Sequence, residues 1–81
     1  MKVSYSPHFQ RHFKHLSPKI QQKFAKQIAL LLSDFNYPSL HTKKYDERRK
    51  IWQARVDRDV RFYFLIEGDL YNLLDIKHHP K

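Results

Sequence analysis

Arginine, lysine and histidine recur at positions of one parity in three runs with strand chemistry, Ile51 to Val56, Val60 to Glu67 and Leu70 to His78. In a strand, successive side chains point to opposite faces. Val60, Phe62, Phe64 and Ile66 are uniformly apolar, which turns Arg61, Tyr63, Leu65 and Glu67 to the other side. In the run before it Trp52, Ala54 and Val56 make the better core set, so Ile51, Gln53 and Arg55 turn outward. In the last run Leu70, Leu74 and Ile76 are expected inward. Tyr71, Leu73, Asp75, Lys77 and His79 are then outward, provided no bulge intervenes. One open face thus carries Arg55, Arg61, Lys77 and His79 among Tyr63, Tyr71 and Leu73. Guanidinium forks fit phosphate oxygens, aromatic rings stack on unpaired bases, and imidazole moves a proton near neutral pH. That combination suits an RNA-cleaving site. Exposed arginines on an antiparallel sheet also serve solubility, and it is their convergence on one face that favours chemistry.

Other residues offer less. Pro38 to Lys50 has no apolar period and reads as a basic loop, with Lys43, Lys44, Arg48, Arg49 and Lys50 available to a polyanion. Within it Asp46 and Glu47 are general-base candidates, although such residues more often cap turns or pair with neighbouring cations. His8, His12 and His15 recur at i, i+4 and i+7, a spacing that could seat a metal, but no acidic residue accompanies them in that helix. A solvated basic face is the commoner outcome of such a pattern. His78 and His79 are adjacent and point to opposite faces, so they cannot share a ligand. There is no Gly-rich phosphate loop, nucleophile elbow or carboxylate-rich two-metal cluster. Neither a metal nor a cofactor is expected.

The elements that must position these groups are marked in the chain. Ser6-Pro7 and Ser17-Pro18 each combine an N-cap residue with proline at the first helical position. Behind them Phe9, Phe13 and Leu16, then Ile20, Phe24, Ile28, Leu31, Leu32 and Phe35, follow helical spacing until Asn36-Tyr37-Pro38 stops it. Lys2 to Tyr5 reads as a short strand. Asp57-Arg58-Asp59 and Gly68-Asp69 break the last three runs into an antiparallel meander. The expected architecture is α+β, in the order βααβββ, with a helical hairpin packed on one face of a mainly antiparallel sheet.

Composition sets the bounds. The 81 residues fit one domain, 1–81, with no linker or repeat. Sixteen Lys and Arg against eight Asp and Glu leave a charge of +8, which favours nucleic acid or an acidic protein as partner. Aromatic residues at 15% with a single Gly argue against disorder, and the absence of Cys removes disulfides, thiolate nucleophiles and thiolate zinc sites. No run approaches a membrane span and Met1 to Phe9 holds no apolar signal segment, so a soluble protein of a reducing cytoplasm is expected.

The element order resembles the RelE/ParE toxin superfamily, as do four stretches of sequence. They are Tyr37-Pro38-Ser39-Leu40-His41-Thr42-Lys43-Lys44, Trp52-Gln53-Ala54-Arg55-Val56, Val60-Arg61-Phe62-Tyr63-Phe64 and Leu73-Leu74-Asp75-Ile76-Lys77-His78-His79. The likeness covers essentially the whole chain and points to the RelE- and YafQ-like branch of messenger-RNA interferases. It implies a type II toxin that inhibits translation by cutting mRNA in the ribosomal A site and is silenced by a cognate antitoxin. By the same resemblance Arg61 is the phosphate-stabilising group and Arg55 its companion on the preceding strand. His79 takes the proton-transferring position. The loop, with Lys43 and Lys44, contacts RNA or ribosome. Two departures are visible. Pro80-Lys81 follows His79 where many members carry an aromatic residue, and only Glu47 lies near the position of the Glu base some relatives use. A ParE-like branch inhibits gyrase on a similar fold, so a gyrase inhibitor and a degenerate toxin that only binds antitoxin are the alternative readings.

Overall fold

The computed structural model describes residues 1–79; the expectation drawn from Pro80-Lys81 lies outside them. The first strand, β1, spans Lys2–Tyr5, and two helices follow, α1 at Pro7–Phe13 and α2 at Pro18–Ser33. Both caps form as the sequence implies. Ser6 Oγ accepts from the Phe9 N–H at 3.0 Å and Ser17 Oγ from the Ile20 N–H at 3.3 Å, each with proline at the start of its helix. The first helix stops at Phe13 rather than Leu16. Gln21 of α2 donates to the carbonyls of Phe13 at 3.1 Å and Leu16 at 3.3 Å, which satisfies acceptors that the helix end leaves free. Among the described residues no helix is long and apolar enough to cross a membrane.

After a single 3-10 turn at Pro38–Leu40 come β2 at Lys43–Asp46, β3 at Ile51–Arg55, β4 at Val60–Glu67 and β5 at Leu70–His78. They form one five-stranded sheet in the order β1-β5-β4-β3-β2, parallel only between β1 and β5. The expected α+β class holds, but the order gains a strand over βααβββ, because part of the supposed basic loop is β2. Lys43 to Asp46 lacks apolar alternation since an edge strand is held by its ladder to β3 and not by burial, and lysines on such an edge resist further pairing.

The core lies between the helices and one face of the sheet. Phe9, Phe24, Ile28, Leu31, Phe62, Phe64, Leu73 and Ile76 are buried there, and Phe24 meets Phe9, Phe13 and Phe62 with ring centroids 5.3–5.4 Å apart. A bulge in β5 makes this set possible. Pairing runs Tyr63 with Asp75 and then Phe64 with Leu73, leaving Leu74 without a cross-strand partner. The extra residue reverses parity on one side of it, so Tyr71 and Leu73 face the core, with 5% and 0% of their surface exposed, and not the open face. Without the bulge Leu73 and Ile76 would stand on opposite faces; with it both are fully buried. Beyond it the expected parity holds, and Asp75 and Lys77 pair with Tyr63 and Arg61.

The bulge is testable by truncation. Leu73→Ala should cost about 2–5 kcal/mol, as buried leucine truncations do, whereas Leu74→Ala, at a half-buried position, should cost clearly less. Urea midpoints of the two variants measure the difference, and equal losses would remove the bulge.

Candidate active site

The turn between β3 and β4 organises the site. Asp57 Oδ1 accepts from the N–H groups of Asp59 and Val60, each at 2.9 Å, and Asp57 Oδ2 from Lys23 Nζ of α2 at 3.3 Å. This closes the turn and points its carbonyls toward neighbouring side chains. Arg61 Nη1 donates to the carbonyls of Asp57 at 2.8 Å, Arg58 at 2.9 Å and Val60 at 3.3 Å. The His79 N–H donates to the Asp59 carbonyl at 2.6 Å. Arg61 is therefore not exposed, as parity alone suggests, but 6% accessible, because its chain folds back under the turn. Its hydrogen bonds among the described residues all run through Nη1, which leaves Nη2 and Nε as donors for a ligand. On the other strand Gln27 of α2, buried beside the core, donates from Nε2 to the Arg55 carbonyl at 2.9 Å.

Burial acts to raise the pKa of Asp57, but the Asp59 and Val60 N–H groups and Lys23 outweigh it and hold the carboxyl below its usual range. Tyr63 shifts the opposite way. It is 5% exposed under Tyr45, whose ring lies 4.8 Å away, and Lys77 Nζ, 5.4 Å from its ring, and its burial pushes the phenol up.

A cleft of about 330 Å³ opens beside the turn, lined by His41, Thr42, Lys43, Gln53, Arg55, Arg61 and His79. The structure thus brings together Arg55, Arg61, His79 and Lys43 of the residues expected from sequence. Three others were not foreseen. Gln53 shares the parity of Arg55, a signal already in the sequence. His41 and Thr42 carry none, because their position depends on the left-handed turn at His41 (φ 48°) after the fully buried Leu40. Thr42 is fixed by donating to the Phe35 carbonyl at 3.0 Å. No carboxylate lines the cleft among the described residues. It presents three cationic side chains and two imidazoles to whatever enters, which suits a phosphodiester. His78 lines a neighbouring cleft of about 300 Å³ with Asp57 and Asp59, and His79 borders both.

The remaining candidates lie elsewhere. Lys44 pairs across from Trp52 and sits 4.5 Å from that ring, on the opposite face of β2 from Lys43. Glu47, Arg48, Arg49 and Lys50 form the exposed β2–β3 turn, at the far end of β2 from the cleft. There Arg49 donates to Asp46 through its backbone N–H at 3.0 Å and its Nε at 2.8 Å, which lowers the Asp46 pKa. Lys77 is exposed on the open face over Tyr63. Tyr71 and Leu73 leave that face for the core, and Tyr45, 54% exposed, is the accessible aromatic ring on it.

No family model and no curated protein matches the chain. Solved structures match in fold at low identity. The YoeB/ParE toxin from Agrobacterium tumefaciens aligns with a TM-score of 0.80 and 11% identity over 99% of this chain and 100% of its own. The YoeB dimer from Staphylococcus aureus gives 0.82 and 12% over 99% and 98%. The toxin–antitoxin complex RelBE2 from Mycobacterium tuberculosis gives 0.75 and 17% over 96% and 96%. The fold is that of the RelE/ParE toxins, as the sequence resemblance implied.

Because the native pKa of Asp57 lies below its unfolded value, its ionised carboxylate stabilises the fold fully above about pH 5. That contribution fades as the pH falls below about 4 and through the native pKa. Asp57→Asn, which imitates the protonated group, should lower stability at pH 7 by about 1–2 kcal/mol. Urea titrations from pH 7 to pH 2 should find the gap to wild type closing in acid. A gap that persists at pH 2 would remove the carboxylate's charge from the account.

Proposed function

We propose that this chain is the toxin of a type II toxin–antitoxin system and acts as a ribosome-dependent mRNA endoribonuclease in the cytoplasm. The observation that carries the reading is the meeting of Arg55, Arg61 and His79 in one polar cleft. In the proposed reaction the 2'-OH of a nucleotide attacks the adjacent phosphorus. The bond to the 5'-oxygen breaks, giving a cyclic phosphate and a 5'-OH product. Such a reaction needs a base at the 2'-OH, cations at the pentacoordinate phosphate and an acid at the leaving oxygen.

Arg61 is well suited to the phosphate. Its charge is held by neutral carbonyls and not by a carboxylate, so it stays available to an anion in a region of reduced dielectric. Arg55 approaches from the neighbouring strand and Lys43 from the rim. His79 moves a proton, and His41 gives the cleft a second imidazole, so that base and acid need not be the same group. Glu47, at the far end of β2, is poorly placed for either role. The exposed Arg48, Arg49, Lys50 and Lys77 are left to bind RNA or ribosome through charge alone.

The proposed protein partner is a cognate antitoxin. A charge of +8 favours an acidic one. With Tyr71 and Leu73 in the core, its apolar contact moves to a groove of about 670 Å³ lined by Tyr5, Phe9, Phe13, Phe24 and Ile28.

Expression of the chain with mapping of mRNA ends tests the reading. Cuts in translated mRNA support it; DNA damage would indicate a gyrase inhibitor, and harmless growth a chain that only binds antitoxin. On translating ribosomes, Arg55→Ala and His79→Ala should each lower the cleavage rate by about a hundredfold or more without loss of fold. His78→Ala, which changes the neighbouring cleft, should cleave nearly as wild type. A defect confined to His78→Ala would exchange the two histidines.

A further inference from the structure

The histidines of α1 were left without an acidic partner in their own helix, and the fold supplies one. Asp75 of β5 brings Oδ1 to 2.7 Å from His12 Nδ1 and Oδ2 to 3.4 Å from His8 Nε2. The two imidazole rings, one helical turn apart, have centroids 4.3 Å apart, and one ligand atom from each of the three residues lies within 4.8 Å of the others. We propose that His8, His12 and Asp75 form a binding site for a divalent transition ion of the zinc type, which ties α1 to β5. None of the three lines the arginine cleft, and the proposal does not depend on the RNA reading.

The donor set decides the class of ion. Two imidazoles and one carboxylate suit Zn²⁺ and its neighbours Co²⁺, Ni²⁺ and Cu²⁺, whereas Mg²⁺ and Ca²⁺ prefer oxygen ligands throughout. Around tetrahedral zinc, N and O ligands at about 2.0–2.1 Å stand roughly 3.3 Å from one another. The observed separations straddle that figure, so rotations of the exposed imidazoles, within α1's existing backbone, complete the geometry. The carboxylate is already oriented, because Asp75 Oδ1 also accepts from the Ile76 N–H at 2.8 Å. His8 and His12 side chains are 52% and 42% exposed against 17% for Asp75, which leaves the outward position open to water. A single hydrogen bond from one histidine occupies Asp75 only in part; a dication engages all three groups together.

Asp75 stands opposite Tyr63 in the ladder, and α1 packs against β5. A bound ion therefore links residues 63 positions apart in sequence, between His12 and Asp75, and should stabilise the whole chain.

The test uses the purified chain, freed of metal by chelation, titrated calorimetrically with Zn²⁺ at pH 7.5. One ion should bind per chain, and saturating Zn²⁺ should raise Tm by at least about 5 °C. His12→Gln and Asp75→Asn should weaken binding at least about tenfold. His15→Gln, in the turn just past α1, and the double variant His41→Gln/His79→Gln, in the cleft, should bind as wild type. His8→Gln, at the most exposed ligand, repeats the test where Asp75→Asn disturbs folding. Imidazole ¹⁵N shifts of His8 and His12 should move on binding. Failure to bind Zn²⁺, unchanged affinity in His12→Gln and His8→Gln, or loss confined to the cleft double variant would each overturn the site.

Discussion

The carboxylate of Asp57 closes a turn whose carbonyls do most of the positioning in the candidate site. With Oδ1 shared between the Asp59 and Val60 N–H groups, the turn exposes acceptors at Asp57, Arg58 and Asp59, and these fix the Arg61 guanidinium and the His79 backbone. Burying a cation is costly unless its donors are satisfied. Here neutral carbonyls satisfy one nitrogen of Arg61 and its charge is retained. A carboxylate in their place would have spent that charge internally, and the cleft would have lost its attraction for an anion.

The helices contribute more than a core. Gln27 lies on the buried side of α2 beside Phe24, Ile28 and Leu31, yet its amide reaches the Arg55 carbonyl, and Lys23 one turn earlier reaches Asp57. Helix α2 thus packs the sheet and also braces β3 and the turn that leads into β4. Changes in α2 well away from the cleft should alter its shape, because the same helix supplies burial and alignment.

Much of this was legible in the sequence for local reasons. Serine–proline pairs announce helix starts whatever surrounds them, and the apolar set Val60, Phe62 and Phe64 fixes the side of the sheet to which Arg61, and with it Arg55, belongs. What was not legible depends on partners distant in sequence. Leu73 and Leu74 are the same residue type, and only packing in the assembled core decides which is buried and where the extra residue falls. Strand β2 has no apolar period because the ladder alone holds it. The burial of Arg61 is set by backbone carbonyls, whose direction no side-chain pattern encodes, and His41 enters the cleft only through a left-handed backbone turn. Asp75 could not be joined to His8 and His12 until the sheet brought β5 beside α1.

The parallel pairing of β1 with β5 bears on the order in which the chain can fold. Lys2 to Tyr5 find their partners at Leu70 to Leu73, and Ser6 hydrogen-bonds across 68 positions to the Leu74 carbonyl. During vectorial synthesis the first strand made has no neighbour until the last has emerged, while β2, β3 and β4 can already pair locally. Closing so long a loop is slow compared with forming hairpins. The same strand that completes the sheet brings His79 to the turn, so the cleft is complete only once β5 has docked.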